Sequence, residues 1–248
     1  VGWQVQPNGR SIQAALEEAL HKLLGEPARA MAAGRTDAGV HALGQVVCFD
    51  TQRTLPEKAY WRGLNGFLPQ DIAVVDAVEV AEDFDPRRWS LGKRYRYRIS
   101  NRRSRSPLRR RTHWELFGPL ELGPMREGAR FLLGRHDFSA FRAADCEARH
   151  PVREVTSLTV DGVAGDEFVL EVTGSAFLKH MVRNIAGSLV EVGRGKRSAA
   201  WMREVLESKD RTKCGPTAPA HGLTMVEVFY GVGRPAHLAA DQDVPDGE

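Results

Sequence analysis

From residue 93 to residue 100 the chain reads Lys-Arg-Tyr-Arg-Tyr-Arg-Ile-Ser. Tyr95, Tyr97 and Ile99 alternate with Arg94, Arg96 and Arg98, a period of two. Successive side chains of a strand point to opposite faces, so the segment predicts a strand with an aromatic face and an arginine face.

Around this strand, helical and strand patterns alternate in both halves of the chain. Residues 11–24 predict a helix. Ser11 is placed to cap it, Gly25 to end it, and Ile12, Ala15, Leu16, Ala19, Leu20 and Leu23 form one apolar face. Pro56 opens a second helix with Tyr60, Leu64 and Phe67 on its inner side. Further strands are predicted at residues 45–51 and 72–80. Residues 100–111 read as a basic linker. Beyond it, residues 125–133 predict a helix, and 152–160 with 167–172 a hairpin whose turn includes Asp161-Gly162 and Gly165-Asp166. Helices at 177–192 and 198–208 follow, then a last strand over 223–230. The pattern predicts an α+β fold of two lobes, residues 1–100 and 112–232, joined by the linker 101–111. Residues 233–248 read as a disordered tail.

With 42% of its residues apolar, the chain can bury a substantial core. No run approaches the roughly 18 apolar residues of a membrane span, and the start has neither the basic nor the apolar part of a signal peptide. A soluble cytoplasmic protein is expected. Cys48, Cys146 and Cys214 are far apart, form no C-x-x-C pair, and are odd in number. That argues against both a zinc site and a disulfide scaffold. Net charge is only +3, but residues 87–111 hold twelve Arg or Lys and no acid. Elsewhere the remaining basic residues are outnumbered by the 32 acids. A basic segment on an otherwise acidic chain points to a localised polyanion site, against the plainer reading of a solvated arginine-rich loop.

The densest chemical signal is Gly34-Arg35-Thr36-Asp37-Ala38-Gly39-Val40-His41-Ala42. Its glycines and small residues allow a sharp turn and the close approach of a ligand. Arg35 and Asp37, two apart, project to one side of an extended segment, where the arginine would favour the ionised carboxylate. Taken alone, Gly-Arg-x-Asp-x-Gly is equally a turn with a structural ion pair.

The whole string resembles the signature of the tRNA pseudouridine synthase A family. Gly2-Trp3-Gln4, Lys93-Arg94-Tyr95-Arg96-Tyr97, His136-Asp137-Phe138-Ser139-Ala140-Phe141-Arg142, Phe177-Leu178-Lys179-His180-Met181-Val182-Arg183-Asn184-Ile185 and Ala218-Pro219-Ala220-His221-Gly222-Leu223 are similar to further family segments, in order, from Gly2 to about Tyr230. Two departures stand out. Family members carry a strand ending Tyr-Asp-Gly before the Gly-Trp-Gln, whereas this chain begins at Val1. Either truncation or an unobserved segment is expected there; if the strand is truly absent, the first lobe has an exposed sheet edge. Arg88-Trp89-Ser90 replaces the more usual aromatic-Ser-Ala.

The resemblance implies two ferredoxin-like lobes sharing an extended, mainly antiparallel sheet. It implies a homodimer, and a reaction that turns uridine into pseudouridine at positions 38, 39 and 40 of the tRNA anticodon stem-loop. That isomerisation breaks N1–C1′, rotates the base and joins C5 to C1′. Nothing is oxidised, so neither cofactor nor metal is expected. Asp37 maps to the family's catalytic aspartate. It can attack C1′ or C6, or take a proton from C2′. Tyr95 is suited to stack on the uracil, and Leu223 to close the pocket. Without the family pattern both would read as core residues. The target must be flipped out of its stack. Arg35 is a candidate to fill the gap or hold a phosphate, and Arg183, on an apolar helix, to meet Asp37 or a phosphate. His41 and Lys93 are supporting residues. Two rivals are a catalytically silent tRNA-binding protein of the same fold and a metal-dependent nuclease, though no carboxylate cluster supports the latter.

Overall fold

The computed structural model describes residues Val1–Gly231. The expected tail at 233–248 lies outside the described residues. In chain order the elements are α1 (Ile12–Leu24), β1 (Met31–Ala32), β2 (His41–Ala42), β3 (Val47–Cys48), α2 (Glu57–Phe67), β4 (Ser90–Ser100), β5 (Trp114–Glu115), α3 (Leu122–Arg130), β6 (Gly134–Asp137), β7 (Val152–Val163), β8 (Glu167–Gly174), α4 (Met181–Gly193), α5 (Trp201–Ser208) and β9 (Leu223–Tyr230). They form two compact units, one of Val1–Gly39 with Gln45–Trp89, the other of Val40–Gly44 with the chain from Ser90 on. β4 falls in the second unit together with both its long ladder partners, β8 and β9.

In the first unit α1 is bounded as its sequence predicts. The Ser11 hydroxyl accepts from the Ala14 amide, and Gly25 adopts a left-handed φ of 75° that lets its amide bond the His21 carbonyl. Leu16, Ala19, Leu20 and Leu24 pack with Trp3, Ala30 and Leu64 into one core. Complete burial of a leucine such as Leu20 is worth roughly 1.5–3 kcal/mol. α2 buries Leu64 but leaves Phe67 exposed, since the helix ends there and Leu68 packs on the core instead. The predicted strand at 45–51 shortens to β3, because its partner β1 is only two residues long. The predicted strand at 72–80 forms no ladder. Its alternation has no neighbouring strand to answer it. Instead the Asn65 side chain donates to the Val74 carbonyl (2.8 Å) and accepts from the Val74 amide (2.7 Å), one strand pairing imitated by one carboxamide.

The second unit is built on a seven-stranded sheet ordered β2-β9-β4-β8-β7-β6, with β5 beside β4. It is antiparallel except at β2–β9 and β4–β5, so the fold class is α+β with a large, mainly antiparallel sheet. One face buries Tyr97, Ile99, Val155, Phe168, Leu170, Val172 and Met225, with α4 packed on β4 and α3 on β7. The other face carries the arginines, and each meets a glutamate of an adjacent strand. Arg94 pairs with Glu227, Arg96 with Glu171 (2.7 Å) and Arg98 with Glu167 (3.8 Å). The β7–β8 hairpin extends past its predicted ends, so Gly162 lies within β7 and the turn is Ala164-Gly165-Asp166. α3 starts before Pro124, which is tolerated in a first turn whose amides have no helical partner. α4 begins at Met181 rather than Phe177. His180 stands at a left-handed φ of 63°, which no continuous helix passes through.

Candidate active site

The loop between β1 and β2 carries Asp37, and its backbone is tied down on several sides. The Ala33 amide donates to the Val46 carbonyl (2.9 Å), the Gln45 side chain to the Gly34 carbonyl (2.7 Å) and the Trp3 amide to the Thr36 carbonyl (3.0 Å). A Cβ on Gly2 would collide with the Thr36 carbonyl oxygen, the Asp37 carbonyl carbon and the Ala38 nitrogen. The Gly2-Trp3 pair is thus the floor under the loop. Thr36 is buried, Asp37 half-buried and Arg35 exposed. A second guanidinium, Arg87, stands in the same unit. Burial pulls its pKa down and the charge of Arg35 adds to that, against the opposing charge of Asp85. Two adjacent arginines, one exposed, make this part of the first unit receptive to an anion. Nothing in the sequence singles out Arg87, whose charge only the fold brings near Arg35.

Five of the other site residues expected from sequence lie in the second unit, four of them on three neighbouring strands. His41 on β2 is opposite Thr224 on β9. Leu223, which opens β9, is opposite Tyr97 on β4, and Tyr95 is opposite Met225. Tyr95 is 9% exposed and presents its ring edge-on to Phe177 at 5.1 Å. Leu223 is buried, and Lys93, two residues before Tyr95, is half-buried. His41 Nε2 donates to the Arg111 carbonyl (2.6 Å), which fastens β2 to the end of the basic segment. The fifth, Arg183 on α4, donates through Nε to the Ala218 carbonyl (2.8 Å), and the Ala218 amide donates back to the Arg183 carbonyl (3.1 Å). That exchange clamps the stretch leading into Leu223 to α4. Asn184, next on the helix, is fully buried. It donates to the Phe141 carbonyl (2.7 Å) and accepts from Thr217 (2.7 Å) and Arg211 (3.2 Å).

The basic segment divides in two. Its strand portion is paired with glutamates, and Arg109 is paired with Asp166 (2.9 Å). Arg102, Arg103, Arg105, Arg110 and Arg111 remain exposed. Charge read along the chain overstates the polyanion surface, because it cannot see a glutamate one strand away. Among the described residues no cluster of three or more His, Cys, Asp or Glu is arranged to hold a metal ion, and no helix is long and apolar enough to cross a membrane.

Residues 2–87 and 129–231 match the protein family described as tRNA pseudouridine synthase. The chain belongs to the tRNA pseudouridine synthase family. Its similarity to individual members runs nearly end to end. It is 67% identical to tRNA pseudouridine synthase A of Myxococcus xanthus over 95% of this chain and 89% of that one. It is 51% identical to the protein of that name from Syntrophotalea carbinolica, over 93% of this chain and 91% of the relative. With the Geotalea daltonii protein of that name it shares 49% identity over 92% and 93%. As a tRNA pseudouridine synthase it is an isomerase whose substrate is tRNA, in agreement with the motif resemblance.

Proposed function

We propose that this enzyme isomerises uridines 38, 39 and 40 in the anticodon stem-loop of tRNA, with Asp37 as the catalytic carboxylate. The observation that carries this reading is the family signature string folded as a tightly braced loop around a half-buried aspartate. The reaction exchanges an N1–C1′ bond for a C5–C1′ bond, gives up the proton of C5 and takes one up at N1. A carboxylate beside the flipped nucleotide serves it in one of three ways: attack at C1′, attack at C6, or removal of the C2′ proton. Tyr95 is assigned to the face of the uracil, with its hydroxyl available to the C5 proton, and Leu223 to the wall of the base pocket. Arg35 and Arg183 are assigned to the displaced stack and the phosphates, Lys93 and His41 to support. An apolar surround keeps water from the sugar while the base is detached. The exposed arginines of residues 102–111 take the RNA backbone, and recognition follows shape, since A-form grooves hide base edges. The enzyme is assigned to the cytoplasm as a homodimer, which sedimentation at micromolar concentration tests.

The deciding experiment maps pseudouridine in a tRNA mixture incubated with the purified protein, and repeats it with Asp37→Asn. Pseudouridine is expected at 38–40 with the native enzyme. The variant is expected to bind tRNA with unchanged affinity and release no tritium from C5-labelled uridine. Wild-type tritium release by Asp37→Asn would remove Asp37 from the chemistry.

A further inference from the structure

We infer that Tyr97 is a positioning residue for the uracil pocket: its buried phenol sets the turn that delivers Leu223. This rests on the proposed placing of Leu223 against the base.

Tyr97 is fully buried in the middle of β4. Its hydroxyl donates to the Pro219 carbonyl at 2.8 Å, across 122 residues of sequence. Pro219 leads into the 3-10 turn Ala220–Gly222, and Leu223 follows directly as the first residue of β9. A Cβ on Gly222 would stand 2.6 Å from Tyr97 Cζ and 2.8 Å from the phenol oxygen, so the turn lies flat on the ring and glycine alone fits. The backbones of Tyr97 and Leu223 are partners in the β4–β9 ladder. One residue therefore fixes this turn three times over, through hydroxyl, ring and peptide. Trp114 packs edge-on against the ring at 6.3 Å and stops it from giving way. Burial pushes the phenol far above its usual range, so it stays a donor throughout the range in which enzymes work. Tyr95, proposed to stack on the base, is two residues earlier on the same face of the same strand. A rigid β4 would then hold both the stacking ring and the anchor of the pocket wall in one register.

The test is a double-mutant cycle of Tyr97→Phe and Leu223→Ala. It is read as single-turnover tritium release from C5-labelled tRNA, with tRNA affinity measured by filter binding. Phenylalanine keeps the ring against Gly222 and Trp114 and removes only the hydroxyl. Tyr97→Phe is expected to slow the chemical step about tenfold with tRNA affinity unchanged, since small misplacements of a reacting group cost at least that much. In the Leu223→Ala background the same change is expected to cost less than twofold, because its effect passes through a side chain already removed. A wild-type rate for Tyr97→Phe alongside a slow Leu223→Ala overturns the inference and leaves the pocket assignment standing. Equal costs in both backgrounds also overturn it, as a general loss of fold would give. A wild-type rate for Leu223→Ala removes the pocket assignment itself and the inference with it. If Tyr97→Phe does not fold, Trp114→Leu, which removes the edge-on contact that holds the ring in place, takes its place in the same cycle.

Discussion

At position 2 a single methyl group would meet three backbone atoms of the segment that carries Asp37. Only that backbone can yield, because Gly2 is itself held close by the Trp3–Thr36 hydrogen bond. Gly2→Ala should therefore shift the aspartate without touching it. The expected result is a fall in kcat on the order of 100-fold with tRNA affinity unchanged. Tritium release and filter binding on the same preparation check this, and a rate within twofold of wild type would show that the loop is set by other interactions. The family string makes Asp37 legible because its specificity is local and contiguous. Gly2, Tyr97 and Asn184 stand in recognisable motifs, but their roles are not readable there. Each acts on a group far along the chain, and spacing encodes nothing about such pairings.

The junction of β6 with the 3-10 turn Ser139–Phe141 depends on Asp137, whose carboxylate accepts from the Ser139 amide at 2.9 Å. Burial alone would raise this carboxyl, but the hydrogen bonds from Ser139 and from Lys209 outweigh it and hold the pKa below the usual carboxylate range. A carboxyl with a lower pKa folded than unfolded contributes stability above its unfolded value, about 3.9, and loses it as pH falls through the folded one. Asp137→Asn should thus lower stability by on the order of 1 kcal/mol at pH 7. Urea unfolding at a series of pH values should show the gap between the two proteins narrowing as pH falls below about 3.9, and closing once pH passes the lower folded value, where the native carboxylate takes up its proton. A gap that stays constant into acid would assign the effect to something other than this charge. The elements most legible from sequence are those whose signal is complete within them: the alternation of Tyr95, Tyr97 and Ile99, and α1 with its Ser11 and Gly25 boundaries. Residues 45–51 and 72–80 have strand patterning, but a strand also needs a partner of matching length, and that lies outside the segment. The sequence pattern starts α4 too early because apolar character runs through His180, while the left-handed turn there depends on backbone geometry.

Over the molecule as a whole, positive charge is sorted by what faces it. Arg94, Arg96 and Arg98 are matched by glutamates across the sheet, and beyond the strand Arg102, Arg103, Arg105, Arg110 and Arg111 stand exposed. Replacing Arg103 and Arg105 by Gln should weaken tRNA binding and reduce the slope of log affinity against log salt by roughly one for each phosphate left without its guanidinium. Replacing Arg96 by Gln should leave that slope unaltered. A salt titration by filter binding separates the two, and equal slopes for both variants would disperse the RNA surface over the sheet face. The bridging of Val74 by Asn65 bears on how the protein behaves at high concentration. A single carboxamide shields one peptide, whereas Val75, Val78 and Val80 beyond it stand 83%, 65% and 47% exposed on a backbone without a ladder partner. Crowded molecules have a ready adhesive seam there, and self-association of concentrated stocks should begin along it.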